Sequence, residues 1–450
     1  MLSINSRKIA PPKRLMRATS RLLIAIAFTL SSAINSWAID LNVQQLITYE
    51  TKANAAASRS DQMVQIEHYE IPLNVIESNV AQRLEQNIRD ALIFEKNGQE
   101  YIRWLINPED TKWHLEVEKF LRSKGLSTER HTHFHAYMTA SRSYIIEDPI
   151  TGAQFSAKVS TDKTGGNWRD KKQEIKDAEE IRMATDYVFE EIQRKNFKHV
   201  VAMDEPAIFG LRAVDQAMVI RLLAQLPGSN NIYLPGFSAV HEDVGAEIAR
   251  RNGSDRPDIF WNEHYNQPLA RALAEFAART GLTYDSPHSQ NFLIELDAQY
   301  KPTGRIVLRD FGDAYLLAEI PLAKGRKNIV EGWLPDNLHR GHLQASVGIL
   351  HGNTAPSWLP DATYNKWAKD FYREFTKELS AQTGIPVEHL NRPHTRSGLY
   401  FNATFDATSA QWKEYFQKLS KERLMIAPNV NSNVRLNSIS GRNCAMIFGT

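Results

Sequence analysis

His288, Gln290, Asn291 and Asp310 stand at the open ends of two apolar runs, where their types and spacing suit a metal-bound nucleotide. The runs are Phe292-Leu-Ile-Glu-Leu296 and Arg305-Ile-Val-Leu-Arg-Asp310. A polar linker carrying Pro302 and Gly304 joins them, so a β-hairpin is expected. A turn centred between Tyr300 and Lys301 makes Asn291 and Asp310 equidistant from it, hence cross-strand partners with Cβ atoms about 4.5–5.5 Å apart. An amide oxygen and a carboxylate at that spacing can share a hard cation such as Mg²⁺, which keeps its other positions for water and phosphate. His288 and Gln290, just before the first strand, reach the same space. Without a ligand, the same pattern would be a capped hairpin with a solvated aspartate.

Other polar clusters offer weaker chemistry. His131, His133 and His135 alternate, so on a strand they share one face about 6.8 Å apart from neighbour to neighbour. They read as a polar strand edge near a substrate, with a zinc-type site as the alternative. His339 and His342 fit one helical turn in a surface or substrate role.

Elements must hold these residues in place. Residues 39–125 read as helical, with apolar spacings of three and four from Val75 to Phe94. From 131 the pattern turns to strands. Ser143-Tyr-Ile-Ile-Glu147 and Gln154–Ser160 flank the turn Asp148-Pro-Ile-Thr-Gly152, a hairpin signal. A polar loop, Thr161 to Asn167, precedes a helix expected from Arg169 to Lys195. Short strands are expected at His199–Met203 and Asn231–Leu234, and an Ala/Leu-rich helix from Gln267 to Thr280 stops at Gly281. Beyond 312, helices at Tyr364–Leu379 and Ser409–Glu422 alternate with loops.

The run from Trp261 through Pro268-Leu-Ala-Arg-Ala-Leu273 and Gly281-Leu-Thr-Tyr284 to Ser286-Pro-His-Ser-Gln-Asn291 resembles the nucleotide-binding segment of the NRPS-independent siderophore synthetases, the aerobactin-synthetase-like family. Ile306-Val-Leu-Arg-Asp310 is similar to the family's Val-Leu-Arg-Asp. Thr139-Ala-Ser-Arg-Ser143 resembles its nucleotide loop. The resemblance covers about 131–345. It implies that ATP adenylates a citrate-like polycarboxylate and that an amine, hydroxylamine or alcohol then takes the acyl group. His288, Gln290, Asn291 and Asp310 would hold ATP and Mg²⁺. Ser141 and Arg142 would contact phosphate or substrate. Lys158 and Arg169 would stabilise phosphate charge, as a point charge and a fork. Two departures stand out: Ser286 replaces the family's Glu, with Asp285 adjacent but out of register, and the N-terminal substrate domain is shortened.

The same residues support a kinase-like phosphotransferase, with Lys158, Asn291 and the Asp310-Phe311-Gly312 run as its parts. A His-Arg-Asp base and a glycine-rich phosphate loop are missing from that pattern. An exported, non-catalytic binding protein is the third reading.

Charge argues against nucleic acid as a partner. Residues 1–38 carry six basic and no acidic side chains, leaving 48 basic against 52 acidic in the body. That basic stretch, the apolar run Leu22–Leu30 and Ser36-Trp37-Ala38 read as an export signal with a cleavage site. The run is short for a membrane span, so membrane contact is expected only if it stays uncleaved; a mis-assigned start on a cytoplasmic protein is the other alternative. The single cysteine, Cys444, excludes an intrachain disulfide.

The expected protein is therefore α+β. It comprises a signal at 1–38, a helical region at 39–125, a strand-rich nucleotide-binding part at 126–240, and a mixed helical domain at 241–450 carrying the hairpin 288–313. A homodimer is compatible with this reading.

Overall fold

The computed structural model describes residues 41–53, 62–139, 142–163, 170–223, 230–284, 287–312, 314–350, 355–390 and 392–425. The expected export signal, Ser141, Arg169, Asp285, Ser286 and Cys444 lie outside the described residues. No helix among those described is long and apolar enough to cross a membrane.

The chain opens with helix α1 (Leu41–Lys52), then strands β1 (Val64–Pro72) and β2 (Glu77–Val80), helix α2 (Gln86–Leu92), strands β3 (Ile93–Lys96) and β4 (Gln99–Leu105), and helix α3 (Trp113–Ser123). This corrects the reading of 39–125 as helical. Four strands run between 64 and 105, and only Gln86–Leu92 of the segment Val75–Phe94 forms an α-helix. The apolar spacings of three and four there arise where short strands and turns alternate, so local periodicity misleads.

Next come β5 (Arg130–Met138), β6 (Ser143–Glu147) and β7 (Gln154–Lys158), then α4 (Ile175–Arg194). The β6–β7 hairpin forms as its turn chemistry dictates. Asp148 Oδ1 accepts from the Ile150 amide at 2.8 Å, and Gly152 takes φ +70°. Helix α4 starts at Ile175, six residues later than expected. Strands β8 (Val200–Ala202), β9 (Ala207–Leu211), β10 (Gln216–Leu222) and β11 (Ile232–Pro235) follow.

Helix α5 (Glu242–Arg251) and a π-helical turn at Asn262–Asn266 lead into α6 (Gln267–Thr280). Helix α6 is buried nearly all round, as its Ala/Leu content requires, and Gly281 caps it at φ +81°. Strands β12 (Leu282–Tyr284), β13 (Phe292–Leu296), β14 (Pro302–Leu308), β15 (Ala314–Leu317), β16 (Leu338–His339) and β17 (His342–Val347) precede helix α7 (Asp361–Thr383), which packs along α6. Strands β18 (His394–Ser397) and β19 (Tyr400–Asp406) and helix α8 (Ala410–Met425) complete the described chain.

The largest sheet has nine strands in the order β2-β9-β10-β7-β6-β5-β1-β4-β3, all antiparallel. A second sheet, β11-β13-β14-β8, is antiparallel except where β8 joins β14. Between them lies an apolar seam. Val43, Leu46 and Ile47 of α1 meet Ile145 of the first sheet, and Tyr233, Leu293 and Val307 of the second.

Candidate functional site

Lys158 ends β7, where Ser143 of β6 and Val219 of β10 are its register partners. Because side chains alternate across a sheet, Lys158, Ser156, Ser143, Ile145 and Arg221 share one face. The β13–β14 hairpin faces them from the second sheet. Its turn closes on Asp297, whose Oδ1 accepts from the Gln299 and Lys301 amides at 2.9 Å each, while Tyr300 takes φ +66°. A register shift between Ile294 and Leu296 then carries through to the mouth, where Phe292 pairs Leu308.

This register corrects the expected pairing. Arg309, not Asp310, sits across from Asn291, and its amide donates to the Asn291 carbonyl at 3.2 Å. In a regular strand Asp310 would then face away from Asn291. Its backbone instead turns left-handed, at φ +65°, a conformation that aspartate tolerates better than most residues. Asp310 and Asn291 therefore line the same cavity by way of a backbone turn rather than cross-strand pairing. The short 3₁₀ turn Ser289–Asn291 supplies the rest of the mouth.

The cavity encloses about 830 Å³ including its opening. Arg142, Lys158, His288, Gln290, Asn291 and Asp310 all line it, so every expected site residue among those described converges there. Lys158 Nζ donates to Asp310 Oδ1 at 2.6 Å. Arg221 Nη2 lies 4.0 Å from that oxygen. Burial would raise the Asp310 pKa, but the Lys158 and Arg221 charges, with Arg142 beyond, outweigh it and hold the carboxyl well below its ordinary range.

Several lining residues escaped the sequence reading. Arg309 donates through Nε to the Gln290 carbonyl at 2.9 Å and pairs with Glu50 of α1 at 2.6 Å. Lys171 joins the rim, and Arg221 the floor. Arg221 had left a signal, a charge inside the apolar run Ala217–Leu223. Glu50 had left none, because nothing in α1 hints that it crosses to a hairpin about 260 residues away. Among the described residues, five cations (Arg142, Lys158, Lys171, Arg221 and Arg309) and two carboxylates (Glu50 and Asp310) line the cavity. That excess suits a polyanion.

The histidines of β5 sit elsewhere. Their rings lean on separate carboxylates: His133 on Asp148 at 3.2 Å, His135 on Glu147 at 4.0 Å, and His131 3.9 Å from both Glu70 and Glu129. No group of three such ligands among the described residues has a metal-site arrangement. His339 and His342 are not on a helix. They flank a turn between β16 and β17 with Gly341 at φ +70°, and their rings stack at 4.5 Å.

No family model matches the sequence, and no curated protein does. Solved structures do resemble the fold. The petrobactin biosynthesis protein AsbB from Bacillus anthracis aligns at TM-score 0.51 and 9% identity, over 81% of this chain and 70% of that one. Aerobactin synthetase IucA from a hypervirulent pathotype of Klebsiella pneumoniae aligns at TM-score 0.49 and 13% identity, over 78% and 71%. Its ATP-bound form aligns at 0.48 and 14%, with the same coverage. The chain has the siderophore-synthetase fold, α+β with a large antiparallel sheet, as the resemblance in its motifs implied.

Proposed function

We propose that the chain is an ATP-dependent ligase that activates a carboxylate, in the manner of siderophore synthesis. One observation carries this reading: Lys158, Asp310 and Asn291, from two different sheets, meet in a cavity with an excess of cations. The donor set fits magnesium, because Asp310 offers a carboxylate kept ionised by its neighbours and Asn291 an amide oxygen. Bound magnesium would neutralise phosphate charge and steady the departing pyrophosphate.

Asp310 and Asn291 would hold the metal, while Lys158 and Arg142 would screen the phosphates as negative charge shifts onto the leaving group. A carboxylate oxygen of the acid attacks the α-phosphorus, and the bond to the β-phosphate oxygen breaks with release of pyrophosphate. The nucleophile then attacks the acyl carbon, AMP leaves with the carbon–oxygen electron pair, and the nucleophile's proton passes to solvent. His288 and Gln290 would orient the nucleotide. Arg169 and Ser141 keep the phosphate and substrate roles that the resemblance implies. The segment 1–38 remains proposed as an export signal, and a periplasmic reporter fused to residues 1–45 tests it.

The deciding experiment measures nucleotide binding with and without Mg²⁺, then the product released with candidate polycarboxylates and amines. Pyrophosphate supports the ligase. ADP would point to the phosphotransferase instead. No Mg²⁺-dependent affinity for ATP rejects both enzyme readings and leaves a binding protein.

A further inference from the structure

Arg221 lines the cavity beside Asp310, and Glu205 lies behind it, outside the lining. Arg221 is 5% exposed and Glu205 not at all, and Arg221 Nη2 donates to Glu205 Oε1 at 2.7 Å. The same Nη2 is 4.0 Å from Asp310 Oδ1, within ion-pair range but beyond hydrogen-bond reach. Glu205 does not drift. The preceding Asp204 is gripped by the Arg83 guanidinium at 2.6 and 3.0 Å, and its carbonyl accepts from the Leu222 amide at 2.8 Å. On the other side, the Pro206 carbonyl accepts from the Ala81 amide at 2.7 Å.

The pair is not saturated. Glu205 Oε2 and Arg221 Nε are buried without a hydrogen-bond partner, so the contact between Nη2 and Oε1 is the pair's main polar tether. Two cations therefore compete for Asp310 and differ in mobility. Lys158 has a flexible four-carbon stem and can exchange a carboxylate for a phosphate. Arg221 has a planar fork inside a sheet, and would hold a carboxylate it reached bidentately and permanently.

We propose that Glu205 is a positioning residue that holds Arg221 back from Asp310, leaving the aspartate's oxygens to a divalent cation that has only the mobile Lys158 to displace. The inference rests on the nucleotide reading of this cavity. Residues behind a metal ligand characteristically set its orientation and availability. Glu205 differs from an ordinary buried counter-ion because removing it would not merely unbalance a charge. It would release a competitor onto the ligand.

The test uses the full chain and three variants: Glu205→Gln, Arg221→Gln and the double variant. Mn²⁺ binding is followed by electron paramagnetic resonance without nucleotide, and ATP binding is titrated against Mg²⁺. Circular dichroism checks that each variant is folded. In Glu205→Gln the Mn²⁺ dissociation constant and the Mg²⁺ midpoint both rise about tenfold, whereas metal-free ATP binding is unchanged. The double variant recovers most of that loss, because the competitor is gone. An unchanged Mn²⁺ constant in Glu205→Gln overturns the proposal, as does a folded double variant as weak as the single one. If Glu205→Gln does not fold, Arg221→Gln alone decides: tighter or equal Mn²⁺ binding supports the proposal, and weaker binding refutes it. Failure of the wild-type chain to bind Mg²⁺–ATP while it binds Mn²⁺ normally refutes the nucleotide reading rather than this one.

Discussion

Asp310 combines a left-handed backbone with a charge that both Lys158 and a metal would use. Asn tolerates the same conformation, so Asp310→Asn removes the charge and leaves the turn. Mg²⁺-dependent ATP affinity should fall by at least tenfold with little loss of stability, readable by calorimetry and a urea melt. Asp310→Glu keeps the charge but pays about 1–2 kcal/mol for the backbone and misplaces the carboxylate. It should lose both affinity and stability, which separates geometry from charge. A second residue-scale outcome concerns acid. His68 is buried on β1, and burial, then the charges of Arg103, His131 and His133, lower its pKa from 6.5 to about 3. The unfolded chain therefore binds a proton below pH 6.5 that the folded one refuses until about 3. Its contribution is present above 6.5 and is lost on acidification, by up to ~1.4 kcal/mol per pH unit. His68→Gln should flatten urea stability between pH 6.5 and 4; an unchanged slope would contradict this. At this scale the sequence was informative where chemistry is written in a short motif. His288, Gln290, Asn291 and Asp310 could be read together, whereas Glu50 and Glu205 reach the site only through folding.

Strands with a local turn signal were legible, and those without one were not. Asp148 and Gly152 betray the β6–β7 hairpin because a side-chain-to-amide bond and a positive φ need those residue types. The β13–β14 hairpin could be seen in its apolar runs, but its register could not. Counting from the middle of a linker assumes a symmetric turn, and the bond pattern around Asp297 with the shift at Ile294 breaks that symmetry. Between 64 and 105, strands of four to nine residues look helical because their pairing partners lie up to 133 positions away in sequence. The junction after β11 gives an element-scale prediction. A Cβ on Gly236 would sit 2.1 Å from the Tyr265 hydroxyl and 2.8 Å from the Ser289 carbonyl, inside the turn that presents Asn291. Gly236→Ala should cost about 1–3 kcal/mol and weaken nucleotide binding as well, checked by thermal melting alongside titration.

Across the molecule, α1 bridges the two sheets, held to the β13–β14 hairpin by an ion pair and to the first sheet by apolar packing on Ile145. Glu50 is almost fully buried and answers Arg309 at 2.6 Å. Glu50→Ala leaves the guanidinium without its counter-charge, at a cost of about 3 kcal/mol in a denaturant melt. A chain beginning at residue 62 should lose that much and more, since Val43, Leu46 and Ile47 leave the seam too. Because the cavity walls belong to separate layers, an occupant would work as a rivet. The melting temperature should then climb with the logarithm of ATP concentration, and both layers should come apart in one step.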